Sequence, residues 1–245
     1  MSPSAKSVVI GITSFCGPFY SDGANTGLFV IEAMHPFNVY RKQGYDVTFV
    51  SENGKYGFDD HSLAADFLSG QDKADYENED SEFQKALHAT KPATDVSGKD
   101  YDIFFAAAGH GTLYDFPTAS GLQRIAAEVY AHGGVVAAVC HGPVIFANLR
   151  ELANGSAQGP LLAAGKSITG FTDIGEEVLG VMDKMRAEKL PTVEDIAKDV
   201  GAKYLAPIGP WDDYSITDGR LVTGVNPASA GSTATRSINA LEQSQ

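Results

Sequence analysis

Cysteine is scarce: the 245 residues hold two, Cys16 and Cys140. Two thiols cannot make a disulfide framework, so the chain reads as a reduced protein of a reducing compartment. Basic residues are also few. The 18 Lys and Arg stand against 31 Asp and Glu, a formal charge of −13. A phosphate backbone or an anionic membrane surface would repel that charge, so neither nucleic acid nor membrane is an expected partner. No apolar run approaches the roughly 20 residues of a membrane span. The chain shows no secretory signal, prenylation box or peroxisomal tripeptide, so the expected location is the cytoplasm, with the nucleus as a possible additional one. Cys-x-x-Cys is missing, and His35, His61, His88 and His132 lack ligand spacing, so no metal is expected. What remains is an ordinary globular mixture, 43% hydrophobic and 20% charged, which excludes a disordered chain.

Strands alternate with helices along most of the chain. Val8-Val9-Ile10-Gly11-Ile12 has the short apolar run of a buried parallel strand. A helix is predicted over Thr26 to Gln43, stopped by Gly44, and Val47-Thr48-Phe49-Val50 is the next strand. Residues 53–100 break the pattern with scattered glycines and a dense acidic stretch. They read as a surface insertion with one or two helices and a solvated acidic face. The alternation resumes with a strand at 103–107 and a helix whose apolar face is Leu122, Ile125, Ala126 and Val129, with Ser120 and Gln123 as a capping box. Val135 to Val139 is then a strand buried on both faces. Further on come a strand at Ser167-Ile168-Thr169 and a helix capped by Thr192 and Asp195. A hairpin follows at Asp218-Gly219, then a final helix with Ala234, Ile238 and Leu241 inward. The expected fold is one α/β domain, a mostly parallel sheet with helices on both faces.

Ala137-Ala138-Val139-Cys140-His141-Gly142-Pro143 carries the chemistry. A buried strand runs straight into Cys140, and the small residues Ala138 and Gly142 flank it. The pattern resembles a nucleophile elbow with cysteine as the nucleophile. The sharp turn lifts the side chain above the sheet, and bulky neighbours would block it. A helix from His141 to about Leu149 is expected next. Its electropositive start would favour a Cys140 thiolate, which on that basis should oxidise ahead of Cys16. The His141 N–H is a natural oxyanion donor, and a second would come from Gly109 or His110, which follow the strand at 103–107. In an open parallel sheet both segments face one crevice at the strands' carboxyl ends. The rival reading of Cys140 is a buried, inert thiol.

Glu32 interrupts the apolar run Leu28 to Met34. A lone carboxylate there is costly when charged, so Glu32 is expected to stay protonated beside the thiol; the alternative is a narrow solvent-facing stripe. Asp173, Glu176 or Glu177 could orient a catalytic histidine, or simply cap a helix.

These stretches resemble the ThiJ/PfpI superfamily, and more closely its fungal glyoxalase III group of stress-inducible, chaperone-like members. The resemblance spans roughly residues 6–240. It rests on the segments 19–24, 32–37, 107–112, 137–143, 170–176 and 211–227. It implies a flavodoxin-like sandwich, catalytic Cys140, His141 and Glu176 with Glu32 beside the thiol, and usually a homodimer. It also implies conversion of methylglyoxal to lactate without glutathione or any cofactor. A glutamine amidotransferase is excluded, because no histidine follows His141 to complete its late His-x-Glu. A cysteine peptidase, a deglycase, and a holdase chaperone or redox sensor working through Cys140 are the competing readings.

Overall fold

The computed structural model describes residues 6–153, 155–156 and 158–244. Alternation along the strands sorts their side chains between two layers. Val9, Phe104, Val136 and Ala138 point to one side, where they meet Leu122, Ile125, Ala126 and Val129 of the helix Ser120–Ala131. Val8, Ile10, Ile103, Phe105, Val135 and Ala137 point to the other. There they meet Met34, Phe37 and Tyr40 of the helix Val30–Lys42, and Ala234, Ile238 and Leu241 of the C-terminal helix Ala230–Ser244. Each fully buried side chain of this size contributes roughly 1.5–3 kcal/mol, so both faces of the sheet are strongly held.

The main sheet has seven strands. Their order is Ser215–Asp218, Leu221–Gly224, Val135–Val139, Ile103–Ala106, Ser7–Gly11, Asp46–Ser51 and Lys91–Pro92. All neighbours are parallel except the first pair, a hairpin that turns through Gly219 at φ 60°. The chain leaves the first strand to one side and returns on the other, so the strand order reverses between Ser7–Gly11 and Ile103–Ala106. Such a switch point opens a crevice at the carboxyl ends of the strands.

Several local expectations need correction. The helix predicted from Thr26 begins at Val30, because Asn25–Thr26 pairs with Gly17–Pro18 as a small ribbon and Phe29 is extended. Ser120 opens its helix without capping it; Gln123 instead spans to the carbonyls of Phe116, Pro117 and Ile145. Ser167–Ile168 pairs with Lys203–Tyr204 outside the main sheet. The box of Thr192 and Asp195 forms as read. Within 53–100 lie the helices Gly70–Glu77 and Glu82–His88 and the edge strand Lys91–Pro92. Gly70–Glu77 buries none of its side chains, as a solvated face requires, and its Asp72 pairs with His35 at 2.8 Å.

Candidate active site

The turn after Val139 is a strained one. Cys140 has φ 57°, a left-handed conformation costing a non-glycine residue about 1–3 kcal/mol. It is pinned from both sides: its N–H donates to the Gly224 carbonyl at 3.0 Å, and its carbonyl accepts from the Phe171 N–H at 2.9 Å. Glycine is required at 142, where a Cβ would lie 2.6 Å from the Ala106 carbonyl oxygen. The expected α-helix is absent. Gly142–Ala147 is a short 3-10 helix, Pro143 in its first turn, buried from Gly142 to Phe146. It supplies no aligned helix start to ionise the thiol. Burial and the neighbouring Glu32 push the Cys140 thiol well up, with a smaller opposing pull from the His141 N–H. Both influences work against the thiolate expected from the sequence.

The partners of that thiol form a line. Cys140 Sγ lies 3.3 Å from His141 Nδ1, and His141 Nε2 lies 2.7 Å from Glu176 Oε1. Glu176 sits in the first turn of the helix Asp173–Leu179, which Thr172 caps by accepting the Gly175 N–H at 2.9 Å. Burial raises the Glu176 carboxyl, but the electrostatic pull and hydrogen bonds of the His110 and His141 rings outweigh it and hold the group well below the usual carboxylate range. Burial and the neighbouring His110 push the His141 imidazole down. A neutral His141 that donates Nε2–H to Glu176 presents a bare Nδ1 to the thiol, the arrangement of a general base. Glu177 and Asp173 take no part in this line. Glu177 is exposed, and the Asp173 N–H donates to Glu194 Oε1 at 3.0 Å.

Glu32 lies on the other side of the sulfur. It is fully buried, and burial pushes its carboxyl up to about 8. Oε2 accepts the Ala108 N–H at 3.1 Å, while Oε1 has no nitrogen or oxygen partner. The Cys140 thiol, which shares the floor of the same cavity, partly offsets that upward push. The protonated form of Glu32 can donate to sulfur, as the sequence suggested. Gly109 follows Ala108 with φ 138°, and a Cβ there would meet the Gly27 carbonyl oxygen at 2.3 Å. Among the described residues the N–H groups of Gly109 and His110 have no acceptor, which leaves them free for a substrate oxygen.

The structure adds what sequence reading missed. His110 enters through its side chain as well as its backbone: Nε2 lies 2.9 Å from Glu176 Oε2 and Nδ1 lies 3.1 Å from the Tyr20 hydroxyl. Tyr20 in turn donates to Asp59 Oδ2 at 2.7 Å. Asp59 could have been found from its N-capping position ahead of Asp60-His61-Ser62. Tyr20 carried no such signal. Ligand atoms of His110, His141 and Glu176 lie within 4.8 Å of one another, a spacing a metal could use. Both carboxylate oxygens, however, already face an imidazole Nε2 at hydrogen-bond distance, so the trio is satisfied internally. Cys16 stands apart, exposed, its Sγ 3.6 Å from the Phe58 carbonyl.

A cavity of about 360 Å³ opens above Cys140. Tyr20, Phe29, Phe67, Phe171, Leu179 and Trp211 wall it, and among the described residues no lysine or arginine lines it. Its floor is Cys140, His141, His110 and Glu32.

Fold and site together define an α/β protein of the cysteine-elbow type, with its thiol at the carboxyl end of a parallel sheet. The chain belongs to the DJ-1/PfpI family, whose pattern matches residues 25–239. It is 63% identical to the glutathione-independent glyoxalase HSP31 of Saccharomyces cerevisiae over 97% of this chain and 98% of that one. It is 54% identical to Glyoxalase 3 of Candida albicans, covering 96% and 98% of the two chains. The crystal structure of glyoxalase III from Candida albicans superposes with a TM-score of 0.92, at 54% identity over 96% of this chain and 97% of that one. Among the described residues, no helix is long and apolar enough to cross a membrane.

Proposed function

We propose that this protein is a glutathione-independent glyoxalase that converts methylglyoxal and water to lactate, with Cys140 as nucleophile. The observation that carries the reading is the line Cys140–His141–Glu176 at the base of a cavity that, among the described residues, no lysine or arginine lines. Glutathione and phosphorylated substrates are anions and would want a lysine or arginine there. An uncharged oxoaldehyde does not.

The thiol attacks the aldehyde carbon, forming the S–C bond as its proton passes to His141 Nδ1. The hemithioacetal oxygen is met by the N–H groups of Gly109 or His110 and of His141. Glu32 and His141 then move a proton from the first carbon to the neighbouring oxygen, through an enediol, and return one to the second carbon. The product of that isomerisation is a thioester. Water cleaves it, releasing lactate and restoring the thiol. Glu176 keeps His141 in the tautomer this needs. No cofactor enters the sequence. The functional unit is a homodimer of a cytoplasmic or nuclear protein, as the glyoxalase group suggests.

The test is lactate release from methylglyoxal in the absence of glutathione. Wild type should produce lactate stoichiometrically with substrate loss. Substrate loss without lactate would instead indicate simple thiol scavenging.

A further inference from the structure

The hydrogen bonds of Asp59 reach the thiol through Tyr20 and the two histidines. Asp59 is fully buried, and four donors converge on its carboxylate. Oδ1 accepts the N–H groups of His61 at 2.9 Å and Ser62 at 3.3 Å; Oδ2 accepts the hydroxyls of Thr26 at 2.9 Å and Tyr20 at 2.7 Å. Tyr20 has one proton, and it is spent on Asp59. Toward His110 Nδ1, at 3.1 Å, its oxygen can therefore only accept. On the ring's other side Nε2 faces Glu176 Oε2 at 2.9 Å, and the second oxygen of that carboxylate takes His141 Nε2–H. Acceptors face both nitrogens of His110. A neutral imidazole has a single N–H and would leave one nitrogen lone pair against an oxygen lone pair.

Resting on the glyoxalase reading above, we propose that Tyr20 and Asp59 are positioning residues for the reaction: they hold His110 as an imidazolium, whose fixed charge keeps His141 a neutral base toward Cys140.

The geometry makes this effective. The rings of His110 and His141 are 4.1 Å apart between centroids, close enough for two cations to repel strongly in a buried site. The positive charge of His110 is buried but paired with Glu176 on one side, and on the other it meets the Tyr20 oxygen, whose proton goes to the Asp59 carboxylate. The other titratable groups near the cluster are Cys140 and Glu32 beyond His141, and His61, which stacks on the Tyr20 ring at 4.0 Å and pairs with Asp22 at 2.9 Å. With His110 charged, the Cys140–His141 pair resists a second proton as the medium is acidified. With His110 neutral, His141 would take that proton at higher pH and cease to act as a base. The sign follows: removing the Tyr20 hydroxyl must move the acid limb of activity upward.

Two variants and two readouts test this. Tyr20→Phe deletes the oxygen and keeps the ring. Asp59→Asn keeps the hydroxyl but offers it an amide donor, freeing Tyr20 to turn its proton toward His110 Nδ1. Nitrogen NMR of the His110 ring at neutral pH should show both nitrogens protonated in the wild type and one in each variant. The acid limb of kcat/KM for methylglyoxal should rise by about one pH unit in both, roughly a tenfold loss on that limb. A neutral His110 in the wild type overturns the proposal, as does an unmoved acid limb in a folded Tyr20→Phe protein. If the wild type makes no lactate, the glyoxalase reading fails, while the NMR result still decides the charge on His110.

Discussion

Cys16 and Cys140 are the same side chain in opposite surroundings. Cys16 is exposed beyond the first strand, its thiol pushed up by partial burial, Asp60 and Asp59. Cys140 is buried and pushed up further. Ease of ionisation therefore does not distinguish the reactive thiol. What distinguishes it is a proton acceptor at 3.3 Å and a carboxyl on its other side, whereas Cys16 has only the Phe58 carbonyl for company. On the proposed mechanism the nucleophile is conditional: Cys140 gives up its proton to His141 only when an electrophile is present.

The largest expected effect breaks the comparison outright. Cys140→Ser should lower lactate formation by at least about a thousandfold while circular dichroism and melting temperature stay near wild type, because His141 cannot ionise a hydroxyl as readily as a thiol. Retention of more than about a tenth of the rate would argue against sulfur attack.

Glu176→Gln comes next. One amide can accept from one imidazole only, and its NH2 would face the other ring's N–H, forcing a tautomer change at His110 or His141. Lactate assays should show a loss of about 10²–10³-fold, in kcat rather than KM.

Glu32→Gln sharpens the comparison in two ways. The amide still donates a hydrogen bond but cannot shuttle a proton, so kcat should fall about a hundredfold. Stability should move the other way. The Glu32 carboxyl stands at about 8 in the folded protein against an ordinary 4.5. As pH rises between those values the unfolded chain releases a proton that the native state retains, so wild-type stability declines. Glutamine has no such proton. Denaturant titrations should find Glu32→Gln gaining on wild type across that window, on the order of a few kcal/mol, with the gain vanishing below it. A constant difference would place Glu32 in contact with solvent.

The layers and the elbow were legible because each writes itself into local sequence. Val135 to Val139 is apolar at every position and ends in cysteine between small residues, and Glu32 stands out in an apolar helix. The helix after Cys140 was misread, since composition does not separate a 3-10 turn from an α-helix. The 3-10 segment packs against Phe116–Thr118 and Val193–Asp199, neighbours that local composition does not reveal. The meeting of Tyr20, Asp59 and the His110 side chain was invisible for a different reason. They meet across 39 and 90 residues of chain, and the contact is created by the sheet, not by any spacing.

The smallest expected effect is at the other thiol. Cys16→Ser should leave lactate formation within about twofold of wild type, as for a surface substitution away from the site. A larger loss would place Cys16 in the reaction and dissolve the contrast between the two cysteines.

That variant also permits the most direct test. In Cys16→Ser the ultraviolet absorbance of a thiolate reports Cys140 alone. The account predicts no thiolate signal in the resting protein at neutral pH, together with full lactate production from methylglyoxal. A thiolate already fully developed at neutral pH, and absent after the further change Cys140→Ser, would contradict it.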